Sequence, residues 1–397
     1  MIDSIDPMSA YFRSARRNGV TTVRVVPGNS TLIGGQAAVI KTGGEFIDDM
    51  VLKSDAGVKI SLRPVSGSRM GHLAKLRKAL DEAKRKLDKK NEKKKDEKKD
   101  KKADAKKKEV KKDDADKKGA KRRAGRKRPV KKKEDGDKDK EDGDKDKEDG
   151  DKDKEEKKDK KDADDKKKKE DKDDKKKADS KKSDKKGDKK PEPVESELDK
   201  AMFAILSGEL PVMIYCDKAM DVGQAMRLIK QYDFKASLVL GRECYKAAKQ
   251  VAEAGLPVMI DPQLVFFEED PRTKEETKVI LPKVFRDHDV KFAFQVGRGG
   301  GTTLGNTYFW YQAATAVKYG MPTEEALEAL TTLPAKFLGV DEYVGSIEKG
   351  KDADIIVLSG EPLSVDTWVE MTVVNGEIVY EKDKDEQLKL LLKGETE

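Results

Sequence analysis

The sequence predicts an α/β fold, a parallel sheet or barrel whose strands alternate with helices and whose chain is interrupted by a long charged insertion. Strand and helix patterns alternate strictly between residues 195 and 261, which is typical of parallel βα units. Residues 84–190 are almost entirely Lys, Asp and Glu. Short strand patterns around an Asn-Gly turn near the C-terminus indicate a small antiparallel sheet.

The N-terminal segment contains the first predicted elements. Residues 7–17 have a helical pattern that ends at Asn18-Gly19, and the β-branched run 20–26 predicts a strand. A helix that leads through Gly-Val-Thr-Thr into a buried strand is the repeating unit of an α/β barrel. Residues 56–62 predict a further strand, and residues 68–84 predict an amphipathic helix, since their leucines share one face.

The segment after the charged tract has the regular alternation of a parallel sheet. Helices are predicted at 195–207, 222–232, 244–254 and 307–319, and strands at 211–216, 236–240, 256–261 and 290–296. Because consecutive strands are separated by helices, we expect them to run parallel.

The C-terminal segment has helix signals followed by strand signals. Thr323 and the acids after it indicate a helix start, and Gly339 is placed to end a second short helix. Strand patterns follow at 344–347, 353–358, 371–374 and 378–380, and Asn375-Gly376 predicts a hairpin between the last two.

Three motifs in these segments resemble the amidohydrolase superfamily, in the branch of imidazolonepropionase-like enzymes. They are GVTTVRVVPG with GGQAAVIK in residues 19–41, ALEALTTLPAKFLG at 326–339, and GSIEKGKDADIIVL at 345–358. The resemblance implies a (β/α)8 TIM-like barrel of the metal-dependent hydrolase type with a small partial β-sandwich. It also implies hydrolysis of carbon–nitrogen bonds other than peptide bonds, such as those of cyclic amides, with zinc or another divalent metal.

The metal ligands that the resemblance implies are four histidines, a Lys or Glu, and an Asp. This sequence departs from that set, because its histidines are His72 and His288 and no His-x-His pair occurs. Tyr215 stands where strand five would carry a histidine, and Leu240 and Gly241 stand where strand six would carry one. We therefore predict no bound cofactor and no metal-ligating or catalytic residue.

Two further segments depart from the family pattern. The strand-eight Asp should lie near residues 292–301, which contain no acid. The first family segment follows the strand that would carry the His-x-His pair, so we expect the chain to begin after that strand and to lack the N-terminal half of the sandwich. These departures suggest a metal-site-deficient homologue with a structural or regulatory role, paired with an intact amidohydrolase homologue or with itself.

Side chains at the predicted strand ends are the pocket candidates, because barrel enzymes place active sites at the carboxyl ends of their strands. They are Tyr215, Cys216, Asp217, Arg242, Glu243 and Arg298. The alternative, in which these residues only fill and cap the barrel, stays open. His72 and His288 are interpreted as surface or capping residues, and Lys41 and Lys59 as lysines of short apolar runs without metal partners.

The charged tract, residues 84–192, is interpreted as an insertion into the barrel that is disordered or a solvated helix. It has too few apolar residues to offset the entropy of ordering its chain. Its most basic run, 117–133, is either a solvated spacer or a scaffold surface that binds nucleic acid or another polyanion. The polyanion-binding candidates are Lys121, Arg122, Arg123, Arg126, Lys127 and Arg128. The run contains no aromatic residue on which bases would stack.

The predicted organisation is therefore an interrupted barrel followed by a sandwich segment. Residues 1–83 and 193–340 form the barrel, 341–381 the β-sandwich segment, and 382–397 a charged tail. Charged residues make up 42% of the chain, yet the tract mixes both signs and the formal net charge is only +8. No apolar run is long enough to cross a membrane. The N-terminus has no signal-peptide core, so we expect a cytoplasmic location.

Overall fold

The computed structural model describes residues 2–95, 196–296 and 308–394. The strands, in chain order, are β1 (Thr22–Val25), β2 (Ile33–Gln36), β3 (Ala38–Lys41), β4 (Val51–Lys53), β5 (Val58–Ser61), β6 (Val212–Cys216), β7 (Ala236–Leu240), β8 (Val258–Met259), β9 (Val265–Glu269), β10 (Glu276–Ile280), β11 (Phe292–Ala293), β12 (Ile355–Leu358), β13 (Val369–Val374) and β14 (Glu377–Glu381).

The helices surround these strands. They are α1 (Ala10–Arg17), α2 (Ile47–Met50), α3 (residues 69–95), α4 (Glu197–Leu206), α5 (Ala219–Tyr232), α6 (Ala248–Ala254), α7 (Leu281–Arg286), α8 (Phe309–Lys318), α9 (Thr323–Glu328), α10 (Thr332–Leu338) and α11 (Glu386–Lys393). A 3-10 turn over Arg242–Ala247 leads directly into α6. None of the helices in the described parts of the chain has both the length and the apolar character needed to cross a bilayer.

The largest sheet has the strand order β11-β8-β7-β6-β5-β2. Strands β5, β6, β7, β8 and β11 run parallel, and β2 pairs antiparallel with β5 at the edge. This parallel order with intervening helices confirms the α/β fold. In the described ranges the sheet is open, so the closed (β/α)8 barrel stays a prediction.

The two faces of this sheet pack against different layers. Ile214 and Cys216 of β6 lie on the outer face, in the main core beneath the helices. Met213 of β6 and Val239 of β7 lie on the inner face and pack against Val39 of β3. The outer face is therefore a helix–sheet core, whereas the inner face meets the N-terminal sheet and α10.

One predicted barrel strand belongs to a different sheet. Strand β1 pairs antiparallel with β3, from Thr22 opposite Lys41 to Val25 opposite Ala38, and β4 completes a three-stranded sheet. The prediction that residues 20–26 form a barrel unit is therefore wrong. A short apolar run has the same pattern in a parallel sheet and in a sandwich, so the sequence does not distinguish them.

The C-terminal strands form the antiparallel sheet β12-β13-β14. The predicted Asn-Gly hairpin is confirmed, because Asn375 and Gly376 both have positive φ, 52° and 83°, as a tight two-residue turn requires. The predicted strand at 344–347 is wrong. These residues form turns around Gly345, whose φ is 103°, and Ile347 is exposed.

A buried ion pair joins the two small sheets. The Lys41 ammonium lies 2.8 Å from Asp354 and 3.0 Å from Asp352. Asp354 also accepts hydrogen bonds from the Thr22 hydroxyl at 3.1 Å and from the backbone N–H of Asn375 at 3.0 Å. Thr22, Lys41 and Asp354 come from the motifs that resemble the amidohydrolase superfamily, so those motifs meet at a structural joint.

Candidate functional site

The carboxyl end of β6 places its three predicted pocket residues in three different environments. Successive strand residues point to opposite faces. Tyr215 lines a cavity of about 2200 Å³ on the inner face of the sheet, Cys216 lies in the helix–sheet core, and Asp217 follows the strand. Of these three candidates, Tyr215 alone lines the cavity.

Tyr215 is held by charged neighbours. Its hydroxyl donates to Asp217 Oδ1 at 3.3 Å, and the Lys59 ammonium lies 5.7 Å from the ring centroid. Burial, reinforced by the negative charge of Asp217, raises the pKa of the Tyr215 phenol well above its usual range. The phenol therefore stays neutral near neutral pH and acts as a hydrogen-bond donor.

Asp217 belongs to an ion network beside the cavity. Arg69, at the start of α3, donates to Asp217 at 3.1 Å and to the buried carboxylate of Asp221 at 2.6 Å. Asp221 also accepts from the backbone N–H groups of Asp217 at 3.1 Å and Lys218 at 2.9 Å. This carboxylate caps the free amides at the start of α5, so the network fixes the loop that follows β6.

The two predicted candidates that follow β7, Arg242 and Glu243, form contacts near the edge of the cavity. Arg242 donates to Gln263 at 2.8 Å and lies 5.0 Å from the ring of Phe266, and Glu243 accepts from the Lys218 ammonium. Gln263 lines the cavity, whereas Arg242 and Glu243 do not. The structure therefore does not bring these two residues together with Tyr215.

Asp261 is a cavity residue that the sequence analysis did not select. It follows β8 and lines the same cavity as Tyr215. Burial raises the pKa of its carboxyl, although a backbone hydrogen bond from Gln263 opposes the shift. Its place directly after the apolar run LPVMI is the signal that identifies it, because the ends of parallel strands meet at one edge.

Cys216 was predicted as a pocket residue, but it does not line the cavity. Its side chain is fully buried on the outer face, and burial raises the pKa of its thiol well above the usual value. Cys244 donates to the carbonyl of Cys216 at 3.1 Å, and burial raises the pKa of Cys244 to about 12. Both thiols are free, and both stay protonated at neutral pH.

Some predicted residues lie outside the described parts of the chain. They are Arg298 and the basic residues Lys121, Arg122, Arg123, Arg126, Lys127 and Arg128.

The chain resembles known amidohydrolases in sequence and in fold. Residues 273–379 match the amidohydrolase family. An imidazolonepropionase of Thermoplasma acidophilum is 41% identical over 68 residues, which are 16% of this chain and 17% of that protein. One from Mesorhizobium japonicum is 27% identical over 167 residues, 42% of this chain and 38% of that protein. The crystal structure of an amidohydrolase from Thermotoga maritima superposes with a TM-score of 0.62 at 23% identity, over 96% of this chain and 77% of that chain.

The C-terminal part of this chain matches the amidohydrolase family, and the chain shares the fold of an amidohydrolase. The matches to the two imidazolonepropionases span well under two thirds of the length of those proteins, 17% and 38%. The structural match shows the fold. The motifs of the superfamily are therefore present, and the chemistry has to be judged from this chain's own residues.

The described residues do not fit the metal that the superfamily implies. Zinc sites use imidazole, thiolate and carboxylate ligands, and no group of three such side chains occurs in the described ranges. Both histidines are engaged with backbone carbonyls: His72 Nε2 lies 2.8 Å from the Ser61 oxygen, and His288 Nδ1 lies 2.9 Å from the Val284 oxygen. The inner face carries Tyr215 and Lys59 instead.

Proposed function

We propose that this chain is a metal-site-deficient member of the amidohydrolase superfamily with a structural or regulatory role. The observation that carries the proposal is the environment of Tyr215. Tyr215 lies at the carboxyl end of β6, on the inner face of the sheet, where the superfamily pattern implies a histidine. Its neutral phenol donates a hydrogen bond to Asp217 at 3.3 Å.

The chemistry of the pocket supports this role. Metal-assisted hydrolysis depends on a metal-bound water whose pKa falls to about 7. A general base then accepts its proton. The Tyr215 phenol is protonated at neutral pH because its pKa is raised, so it does not act as that base. Asp217 forms an ion pair with Arg69 at 3.1 Å and does not line the cavity.

Assays with a cyclic amide and a cyclic imide, each with and without added zinc, test this proposal. We expect no turnover above the buffer rate for the wild-type chain, and no change in the Tyr215→Phe variant, which removes the hydroxyl alone. Zinc-dependent turnover that disappears in an Asp261→Asn variant would overturn the proposal, because it would show a working metal centre in the cavity.

A structural or regulatory role implies a partner, either a second copy of this chain or an intact homologue. We propose that the chain associates through residues outside 96–195 rather than through the charged tract. Light scattering on the full chain and on a deletion of residues 96–195 measures this. The same number of copies, two or more, in both proteins supports it, and a monomeric full chain or a monomeric deletion variant contradicts it.

We also propose a second function, polyanion binding by the basic run at residues 117–133, which contains KKGAKRRAGRKRPVKKK. Cationic side chains that contact phosphates release counterions, so affinity falls steeply as salt rises. Fluorescence polarisation with a labelled oligonucleotide at two salt concentrations tests this. Binding that is steeply salt-dependent in the full chain and absent after deletion supports it, and binding unaffected by the deletion contradicts it.

The deletion is compatible with the described fold. Lys86 of α3 lies 2.7 Å from Asp199 of α4, and the Lys90 ammonium lies 5.2 Å from the ring of Phe203. The helices on both sides of the tract therefore pack against each other, so a short flexible linker can replace residues 96–195.

A further inference from the structure

Arg24 of β1 is a cation with unused hydrogen-bond donors. Its Nη2 donates to the carbonyl of Ala56 at 2.6 Å. Among the described residues, this is the one hydrogen bond of the guanidinium. The Nε atom is shielded from solvent and has no acceptor among them. A shielded donor without an acceptor destabilises the fold, so an acceptor from a bound ligand would be favourable at this position.

No carboxylate in the described ranges forms an ion pair with Arg24, although ion pairs are frequent elsewhere in the chain. Burial alone lowers the pKa of its guanidinium to about 10. At neutral pH Arg24 therefore stays charged in a poorly solvated place without a counter-ion. Such a cation favours an anionic partner.

The guanidinium lies against the start of β5. A Cβ atom built on Gly57 would lie 3.0 Å from Arg24 Nη2 and 2.6 Å from the Pro211 carbonyl oxygen. The φ of Gly57 is 119°, which favours glycine. Glycine at this position therefore leaves the space that the arginine occupies.

Arg24 lines the large cavity together with Asn29 and Lys59. The Lys59 ammonium donates to the Pro27 carbonyl at 3.3 Å and adds positive charge to this wall. The Asn29 side-chain oxygen is also shielded and has no partner among the described residues. Rotation of an asparagine amide exchanges its oxygen and nitrogen, so Asn29 presents either a donor or an acceptor.

We propose that Arg24 and Asn29 bind the carboxylate of a small organic acid in this cavity. The planar N–H groups of an arginine match the two oxygens of a carboxylate. A cavity of about 2200 Å³ accommodates the organic part, and the apolar side chains Val25, Met213 and Met259 also line it. This binding does not depend on whether the chain hydrolyses a substrate, so it goes beyond the proposed function.

Calorimetric titration of the full chain with benzoate, and with benzamide as its neutral counterpart, tests the site. We expect saturable benzoate binding and at least about tenfold weaker benzamide binding, which corresponds to about 1.4 kcal/mol. Arg24→Gln is expected to weaken benzoate binding about tenfold or more. Arg227→Gln, an exposed arginine of α5 away from the cavity, is the matched control and is expected to bind as the wild type does.

Two further variants keep the test decisive if Arg24→Gln does not fold. Arg24→Lys keeps the charge but loses the planar donor pair, so we expect weaker benzoate binding at an unchanged melting temperature. Asn29→Ala is expected to weaken binding about threefold. Absence of saturable benzoate binding by the wild type, equal affinity for benzamide, or wild-type affinity in a folded Arg24 variant and in Asn29→Ala would each overturn the proposal.

Discussion

Two charged clusters among the described residues differ in burial and in what they hold together. At the joint of the small sheets, the Lys41 and Asp354 side chains are 3% and 5% exposed. At the end of β6, the Asp217 side chain is 24% exposed and that of Arg63 is 58% exposed. The first cluster is a buried structural pair, whereas the second lies where barrel enzymes carry their chemistry.

This difference shows what the recognisable motifs encode. Thr22 and Lys41 come from the motif at residues 19–41 and Asp354 from the motif at 345–358. Both donate to the Asp354 carboxylate, at 3.1 Å and 2.8 Å. At the strand ends, Tyr215 stands where we expect the superfamily pattern to place a histidine. The motifs that identify the superfamily therefore preserve the architecture, and they say little about the reaction.

The largest predicted effect is at the structural joint. Asp354→Ala leaves the Lys41 ammonium buried with Asp352 alone, because the 2.8 Å contact is lost. Breaking a buried pair by removing one partner costs about 3–5 kcal/mol. We expect that loss in the free energy of unfolding, measured by urea denaturation.

The control for this joint is Asp366→Ala, an exposed carboxylate of the turn before β13 that is expected to leave the unfolding curve unchanged. If Asp354→Ala and Asp366→Ala unfold at the same urea concentration, the joint does not stabilise the fold and the contrast between the clusters disappears.

Within the second cluster, burial again decides the effect. Asp221 is 3% exposed and receives Arg69 and two backbone N–H groups. Asp221→Ala is therefore expected to cost about 2 kcal/mol of unfolding free energy, as the loss of several partners of a buried group does. Asp217→Ala, in the same network but more exposed, is the control and should cost less. If urea denaturation shows a larger loss of unfolding free energy for Asp217→Ala than for Asp221→Ala, burial does not determine the size of the effect.

The buried thiols on the outer face of the sheet predict that the free energy of unfolding depends on pH. The pKa of Cys244 is raised in the folded protein to about 12 from a usual value near 9. The unfolded chain therefore loses this proton first. The stabilisation is complete below about pH 9 and is lost as the pH rises toward 12. Relative to Cys244→Ala, the wild type is expected to lose about 1 kcal/mol between pH 9 and 10. Parallel pH profiles of the two proteins would contradict this.

The smallest predicted effect is at the hairpin of the C-terminal sheet. Gly376 has a φ of 83°, so Gly376→Ala is expected to cost about 1 kcal/mol. Gly223→Ala in α5 is the matched control. A Cβ at Gly223 has its nearest neighbour at 3.9 Å, and alanine favours a helix over glycine, so this change is expected to raise the melting temperature. Equal melting temperatures for the two variants would be inconsistent with a hairpin that needs positive φ.

The sequence predicts the elements with local signals well. Strand β7 has the predicted bounds, residues 236–240, and the Asn375-Gly376 hairpin is confirmed. The hairpin of β9 and β10 was missed, because its strands carry Glu and Lys side chains that are depleted in strands. The helix at residues 386–393 was interpreted as a charged tail, although Asp385 caps it and its leucines follow.

The candidate site was only partly predictable. Tyr215 was placed at the end of a parallel strand, and the structure locates it there. The period-two alternation of a strand is a signal that separates Cys216 from Tyr215, and it was not used. Arg24 was not selected, because an unpaired donor is a property of the tertiary fold. Asp261 lies two residues after the end of β8, yet its burial depends on neighbours that are distant in sequence.

The metal content of the purified full chain, measured by elemental analysis after dialysis against a buffer with added zinc and then without it, tests the central claim most directly. Four-coordinate zinc sites need three or four protein ligands of suitable chemistry, and the described strand ends do not bring them together. The account therefore predicts far less than one zinc ion per chain. Retention of about one or two ions per chain, as in a metal-dependent hydrolase, would contradict it.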